Sequence, residues 1–546
     1  MYSREWNEKV DVSDADVTSL SGSWLCEIAE IGASNLAIAS GIQKVIVFAC
    51  RHLRLAGFES GDYAHVSDVA VVVKSQQTFR TRTSLPIYTL ELFGHNIYVV
   101  NSVELVSGVD RNAHDFSFAP YLIQFAARTL HPSEDGTKKL SENMDGKDSD
   151  PGLRIQTQNV MRESMAAGSS TLDTLSREVL KQLCNLVDTE VCAIDGPVGL
   201  FHWVRDMITT ATTNAVYGPA NPFLRKDVAD GLWAFEKDLG QIALGWFPKF
   251  IAPQGYQGRQ VLVNALVDYF QNKSHEDGSP LVKARYNANK MYNVSLEDLA
   301  RFESSLTIAL LVNTAPATFW TLFLVLSNPT LVLDLRQQLE MFIRPSQDHS
   351  SDESSSENHP KIHVDMAQVL KECPILKSLV EEVLRIRSAN ASGRMVMRET
   401  LLNNQYLLRA NSTVLIPSAS VHTDASVWGA TVNQFDPSRF IKDGGSQMLL
   451  QPAYAYRAFG GGAALCPGRF LATMEILSIL TMILLRFDIT PVDSKGRATQ
   501  WREPKSRPHI LTSILSPAKD VPVVIKEREK YRGMTWCFSL NNEQIH

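Results

Sequence analysis

Residues 459–472, FGGGAALCPGRFLA, place one cysteine, Cys466, in a glycine-rich loop that runs straight into an apolar stretch, residues 469–487. Pro467 follows the cysteine, where the first helical turn has no intrahelical use for an N–H. The spacing therefore predicts Cys466 at or just before a helix N-terminus. Backbone N–H groups converge there and the helix dipole favours negative charge. Such a position stabilises a thiolate, the form of cysteine that binds a metal. Gly460, Gly461 and Gly462 let the backbone approach a flat, bulky group closely. The local reading is a thiolate presented to a metal cofactor, with a structural cysteine in a helix-start loop as the bland alternative. A phosphate-binding glycine loop is disfavoured because no Gly-Lys-Ser/Thr follows.

The rest of the chain narrows the class. Its 546 residues are long for one domain but suit a large helical enzyme with a sizeable core. A net charge of −6 gives no sign of nucleic-acid binding. The seven cysteines are scattered and odd in number, with no CxxC or Cys/His cluster. That disfavours a zinc site and a disulfide framework, and points to a reducing, cytosol-facing compartment.

Taken in order, residues 1–80 form a divergent N-terminal segment without a clean signal peptide. Within it, residues 31–50 are a candidate membrane-associated helix, though Asn35, Gln43 and Lys44 interrupt the apolar run. Residues 89–100 read as two short strands around a turn, and 131–152 as a polar surface loop. Helical spacing recurs over 171–193, 200–217, 226–246 and 258–271. Residues 304–326 are the most apolar run, interrupted by Asn313, Thr314 and Pro316. Alone this run is a fair transmembrane candidate, but a proline kink beside a polar notch better suits a buried central helix. Residues 345–360 are a Ser- and acid-rich solvated loop. Residues 373–388 form a helix with Glu382 and Arg385 on one face at i, i+3 beside an apolar stripe, so a buried pair must be fully partnered. Two strands are expected near the end, over 487–492 and 506–515.

The cysteine loop resembles the haem-binding signature of cytochromes P450, with Phe459, Gly462, Cys466, Gly468 and Ala472 on its fixed positions. Ala464 stands where that pattern usually has Arg or His. Other motifs follow in the family's order. Glu382 and Arg385 match its Glu-x-x-Arg pair, and Arg439, in residues 421–440, matches the third member of that network. Arg394 falls where a strand arginine meets a haem propionate, and Arg128 is the candidate for a second propionate contact. Residues 304–326 resemble the helix crossing the distal face of the haem. There Val312 and Asn313 replace the usual acid–alcohol pair, and Asn313 with residues 316–320 resembles the branch of sterol 7α- and 12α-hydroxylases and prostacyclin synthase.

The resemblance covers roughly residues 85–520. It implies a mainly α fold with small β-sheets, the cytochrome P450 fold, as a haem domain over residues 81–546. It also implies haem b held by Cys466 and a monooxygenase that uses O₂ and electrons from NADPH–cytochrome P450 reductase. The substrate would be small and apolar, sterol- or terpenoid-like, with Asn313 as the catalytic polar group and the cytosolic face of the endoplasmic reticulum membrane as the location. Two alternatives remain at this point: a haem-thiolate isomerase or dehydratase that acts on a peroxide without reductase, and a non-catalytic haem protein. The helical region over 171–271 would supply the lid of the substrate pocket, with aromatics such as Trp233, Phe235 and Trp246 either lining it or belonging to the core.

Overall fold

The computed structural model describes residues 85–540 apart from 93–94, 147–148, 192–193, 195, 246, 346–360, 442–453 and 510. The expected N-terminal helix at 31–50 and the side chain of Trp246 lie outside the described residues.

Helices dominate. Their centre is the apolar run, which forms two helices, Leu296–Leu311 and Thr314–Leu326. The break has a local cause. Pro316 has no N–H to give the Val312 carbonyl, so the i→i−4 ladder loses a rung there. The Thr314 hydroxyl spans the gap by donating to the Leu310 carbonyl (2.8 Å), and the Ala317 N–H reaches the Asn313 carbonyl (3.1 Å). Residues Leu296–Leu326 are long and apolar enough to cross a membrane, yet 78% of the most apolar window is buried inside the protein. It is a core helix pair, wrapped by Leu200–Tyr217, Pro374–Arg387 and Arg469–Arg486.

The largest sheet has five strands in the order Ile87–Leu92, His95–Val100, Thr413–Pro417, Ala391–Val396, Phe116–Ser117. The first two strands pair antiparallel, as the alternation over 89–100 predicts, with Ile87 opposite Val100. Thr413–Pro417, all five residues buried, runs parallel to the second strand and antiparallel to Ala391–Val396. This sheet and the helix bundle bracket the cysteine loop.

Three expectations change. Residues 131–152 are not wholly loop. Ser133 caps a helix, Glu134–Ser141, whose first turn carries Glu134 and Asp135, and Asp298 anchors the cap by accepting from both the Ser133 N–H (2.7 Å) and its hydroxyl (2.6 Å). The helix expected over 171–193 ends its α-helical part at Leu186 and continues as a π turn, Val187–Val191. Residues 506–515 are not a strand of a sheet. They belong to an irregular hairpin held by isolated bridges, Ser506 with Pro517 and Ser388 with Ile514. Trp233 and Phe235 are buried in the core.

Candidate active site

Cys466 lies three residues before the first residue of the helix Arg469–Arg486. Its backbone N–H donates to the Phe459 carbonyl (2.9 Å), which closes the loop onto itself. Burial pushes the Cys466 thiol up, while hydrogen bonds from the Gly468 and Arg469 N–H groups and the Arg469 charge pull it down. A cation at the sulfur would tip that balance to the thiolate. Gly460 has φ +78° and its missing Cβ would lie 3.0 Å from the Ala464 carbonyl. At Gly461 a Cβ would come within 2.6 Å of both Asp110 Oδ2 and Arg457 Nη1. The glycines thus let the loop press on a buried ion cluster, a partner that the sequence reading did not identify.

That cluster is Asp110, Arg457 and Arg394. Arg457 Nη1 bonds Asp110 Oδ2 at 2.6 Å, and Arg394 Nη2 lies 3.7 Å from Asp110 Oδ1, all three side chains being at most 3% exposed. Arg394 also donates to the Gly393 carbonyl (2.7 Å) and, on the loop, to the Gly461 carbonyl (3.1 Å). Burial pulls its pKa down to about 10, against the opposing pull of Asp110. Two buried cations face one carboxylate, and Arg457 Nε is buried without a partner. A surplus positive charge in such a place is costly unless an anion completes it. A haem carboxylate beside Cys466 has the required charge and chemistry, so these residues fit the group. Arg457 carried no motif in the sequence; its signal is only its place two residues before Phe459.

Two further arginines lie on neighbouring helices. Arg128 lies on the helix Ala119–Thr129, with its Cγ 3.8 Å from the ideal Cβ position of Gly245. Arg162, on the helix Gly152–Ser164, reaches the cysteine loop, where it donates to the Ala463 carbonyl at 2.8 Å. Gln158, one turn earlier, points to the same carbonyl at 3.5 Å.

Behind the loop, Glu382 joins Arg385 and Arg439. Arg385 donates through Nε and Nη2 to the two oxygens of Glu382 (2.7 and 2.8 Å), and Arg439 Nε lies 3.0 Å from both. The arginines spend their other donors on the carbonyls of His422, Val432, Thr431 and Gln434. His422 extends the network toward the loop. Its Nδ1 meets the Arg385 carbonyl (2.9 Å), so that nitrogen carries the proton, and its Nε2 accepts the Arg457 N–H (2.7 Å). The brace therefore connects Glu382 to the residue that grips Asp110.

Asn313, at the helix break, accepts the N–H groups of Ser513 (2.8 Å) and Ile514 (3.2 Å) on its Oδ1. It is half-buried, as is Ile308, while Ala309 is exposed. Room beside the break is what a bound planar group and a substrate would need.

A half-buried cysteine at a helix start, backed by a carboxylate–arginine brace and flanked by two guanidinium groups that share one carboxylate, defines a haem-thiolate oxidoreductase. Comparison with known proteins agrees. A family model, Cytochrome P450, matches residues 260–510. The chain is 30% identical over 467 residues to the cytochrome P450 monooxygenase nodJ of Hypoxylon pulicicidum, covering 83% of this chain and 85% of that one. A cytochrome P450 monooxygenase of Gibberella zeae is 26% identical over 490 residues, 86% and 88% of the two chains. Cholesterol 7-alpha-monooxygenase of Cricetulus griseus is 25% identical over 254 residues, 44% and 48% of the two chains. The chain belongs to the cytochrome P450 family. It is an oxygen-incorporating oxidoreductase of that fold, and its cofactor is haem b bound through a cysteine thiolate.

Proposed function

We propose that this protein hydroxylates an apolar, sterol- or terpenoid-like molecule, with O₂ and electrons delivered by NADPH–cytochrome P450 reductase. The observation that carries the site assignment is the pairing of Cys466 with a surplus of buried positive charge at Arg394 and Arg457. Cys466 is the residue that holds iron, and Phe459, Gly462 and Gly468 shape the loop around it. Arg394, Arg457 and Arg162 are the cations available to the haem carboxylates; Asp110 orients the first two. When bound, haem supplies the chemistry that activates O₂ toward an unactivated C–H bond.

Asn313 is the polar group at the distal helix break. Its oxygen is committed to two backbone N–H groups, which leaves the amide Nδ2 as the donor toward the pocket. An amide can orient water or a substrate oxygen, but it cannot act as an acid near neutral pH. Protons would therefore arrive through water that Asn313 positions. The sterol class rests on the partial similarity to cholesterol 7-alpha-monooxygenase. The apolar segment at residues 31–50 supports attachment to the endoplasmic reticulum membrane, with the haem domain on the cytosolic face.

The test is the absorption spectrum of the dithionite-reduced protein under carbon monoxide, beside a Cys466→Ala variant. A strongly red-shifted Soret band that the variant loses is the expected result; the same spectrum in both proteins would refute the ligand assignment. Incubation with sterols and terpenoids should then give hydroxylated product only with NADPH and reductase. Product from an endoperoxide without reductase would replace hydroxylation by isomerisation.

A further inference from the structure

The irregular hairpin near the C-terminus touches more of the site than its lack of regular structure suggests. Its base is closed by the Arg507 N–H on the Ser516 carbonyl (2.7 Å) and the Ala518 N–H on the Lys505 carbonyl (2.7 Å). One side of its tip is fixed to rigid elements. Ser513 and Ile514 donate to Asn313 at the central helix break, the Ser513 carbonyl accepts the Ala389 N–H (2.8 Å), and the Leu515 carbonyl accepts Trp320 Nε1 (2.8 Å).

The other side is fixed by charge. Arg507 Nη2 lies 2.6 and 2.7 Å from the two oxygens of Glu236, and His509 Nε2 donates to the Glu236 carbonyl (3.0 Å). Glu236 belongs to the helix Lys226–Ala243, which packs along Pro253–Gln271. Those two helices form a stiff pair. Gly231 and Gly258 bring the backbones so close that a Cβ on Gly258 would strike the Gly231 carbonyl and one on Gly231 would crowd the Gly258 carbonyl, and Asp238 accepts the Gly255 N–H (2.8 Å). The pair is therefore tightly packed, and its displacement away from the hairpin would part Glu236 from Arg507 and His509.

The two ends of that ion pair are unlike. The Glu236 side chain is 5% exposed and that of Arg507 is 30% exposed, so water reaches the cation side only. Arg507 Nε is buried without a partner, so the guanidinium is held by Glu236 rather than by a web of carbonyls. A pair with one wet side can open without stranding both charges, whereas the fully buried Glu382 network cannot.

We propose that Glu236 and Arg507 are positioning residues that form an ionic latch. Closed, it holds the helix pair Lys226–Ala243 and Pro253–Gln271 against the hairpin and keeps the hairpin tip on Asn313. Open, it admits apolar substrate. This deepens the functional proposal above and rests on the reading of Lys226–Ala243 as the lid of a haem pocket.

The experiment uses the full-length holoprotein with 1-phenylimidazole, an apolar azole whose nitrogen binds haem iron and shifts the Soret band. Stopped-flow rates are compared for wild type, Glu236→Gln, Arg507→Gln and the swap Glu236→Arg/Arg507→Glu. Each variant is first checked for the carbon monoxide spectrum. The latch predicts that association and dissociation both quicken by roughly tenfold in the single variants and return to within about threefold of wild type in the swap. Amide exchange over 226–243 should rise by about tenfold in Arg507→Gln. Unchanged rates and unchanged exchange in folded single variants would overturn the latch. If Arg507→Gln does not fold, Arg507→Lys, which keeps charge but loses the fork, should give intermediate rates. Absence of any azole shift in wild type would instead defeat the haem-pocket reading, and exchange over 226–243 would then decide the latch alone.

Discussion

Replacing Glu382 by alanine tests whether the brace behind the haem loop works as a buried charge network. Glu382 is fully buried and its two oxygens receive Arg385 Nε and Nη2, Arg439 Nε and the Asp436 N–H, all within 3.2 Å. Arg385 and Arg439 are themselves buried. Removing the carboxylate leaves two guanidinium charges away from water. Deleting one partner of a buried pair costs about 3–5 kcal/mol, and two stranded cations put this variant toward the upper end. A domain is stable by only about 5–15 kcal/mol, so a large share of the total would be lost. Glu382→Gln should do little better, because its amide N–H₂ would face arginine N–H groups. Urea unfolding followed by tryptophan fluorescence measures the loss, and the carbon monoxide band per milligram of protein measures retained haem. A loss below about 1 kcal/mol, the scale of an exposed pair, with full haem content would refute the reasoning.

Other consequences follow from the same geometry. Asp110→Asn removes the carboxylate shared by Arg394 and Arg457, so urea should unfold the haem-free variant earlier by a few kcal/mol, with a smaller loss when haem is bound; equal losses would contradict a haem carboxylate at this place. Arg162→Ala should speed haem transfer to apomyoglobin by about tenfold, and Arg128→Ala should leave it within about twofold. Glu475 is wholly buried on the helix after the loop, and burial pushes its carboxyl up to about 8, with Thr212 as its hydrogen-bond donor. The folded state then holds this proton where the unfolded chain, near 4.5, releases it. Stability should accordingly fall as the pH rises between those values. Glu475→Gln should gain a few kcal/mol on wild type at about pH 8 and almost nothing at about pH 5, read as unfolding midpoints; a constant difference at both pH values would rule this out.

What the sequence determined by itself was whatever local chain chemistry dictates. Cysteine followed by Pro467 sets a helix start, Pro316 sets a helix break, and Glu382 with Arg385 at i, i+3 must share a helix face. In each case the partners lie within a few residues, so spacing alone carries the information. Arg439 and Arg394 were legible only because they fall in a fixed order around those motifs. Tertiary structure decided what depends on distant chain. Asp110 and Arg457 are separated by 347 positions yet share one buried ion pair. Arg162 meets the loop because of where Gly152–Ser164 packs, and no residue type announces that. Asn313 was read as a distal polar group from its place in an apolar run. That its oxygen is already bound to a hairpin 200 residues away followed only once the chain had folded. Long-range pairing depends on which surfaces bury one another, and sequence spacing does not encode that directly.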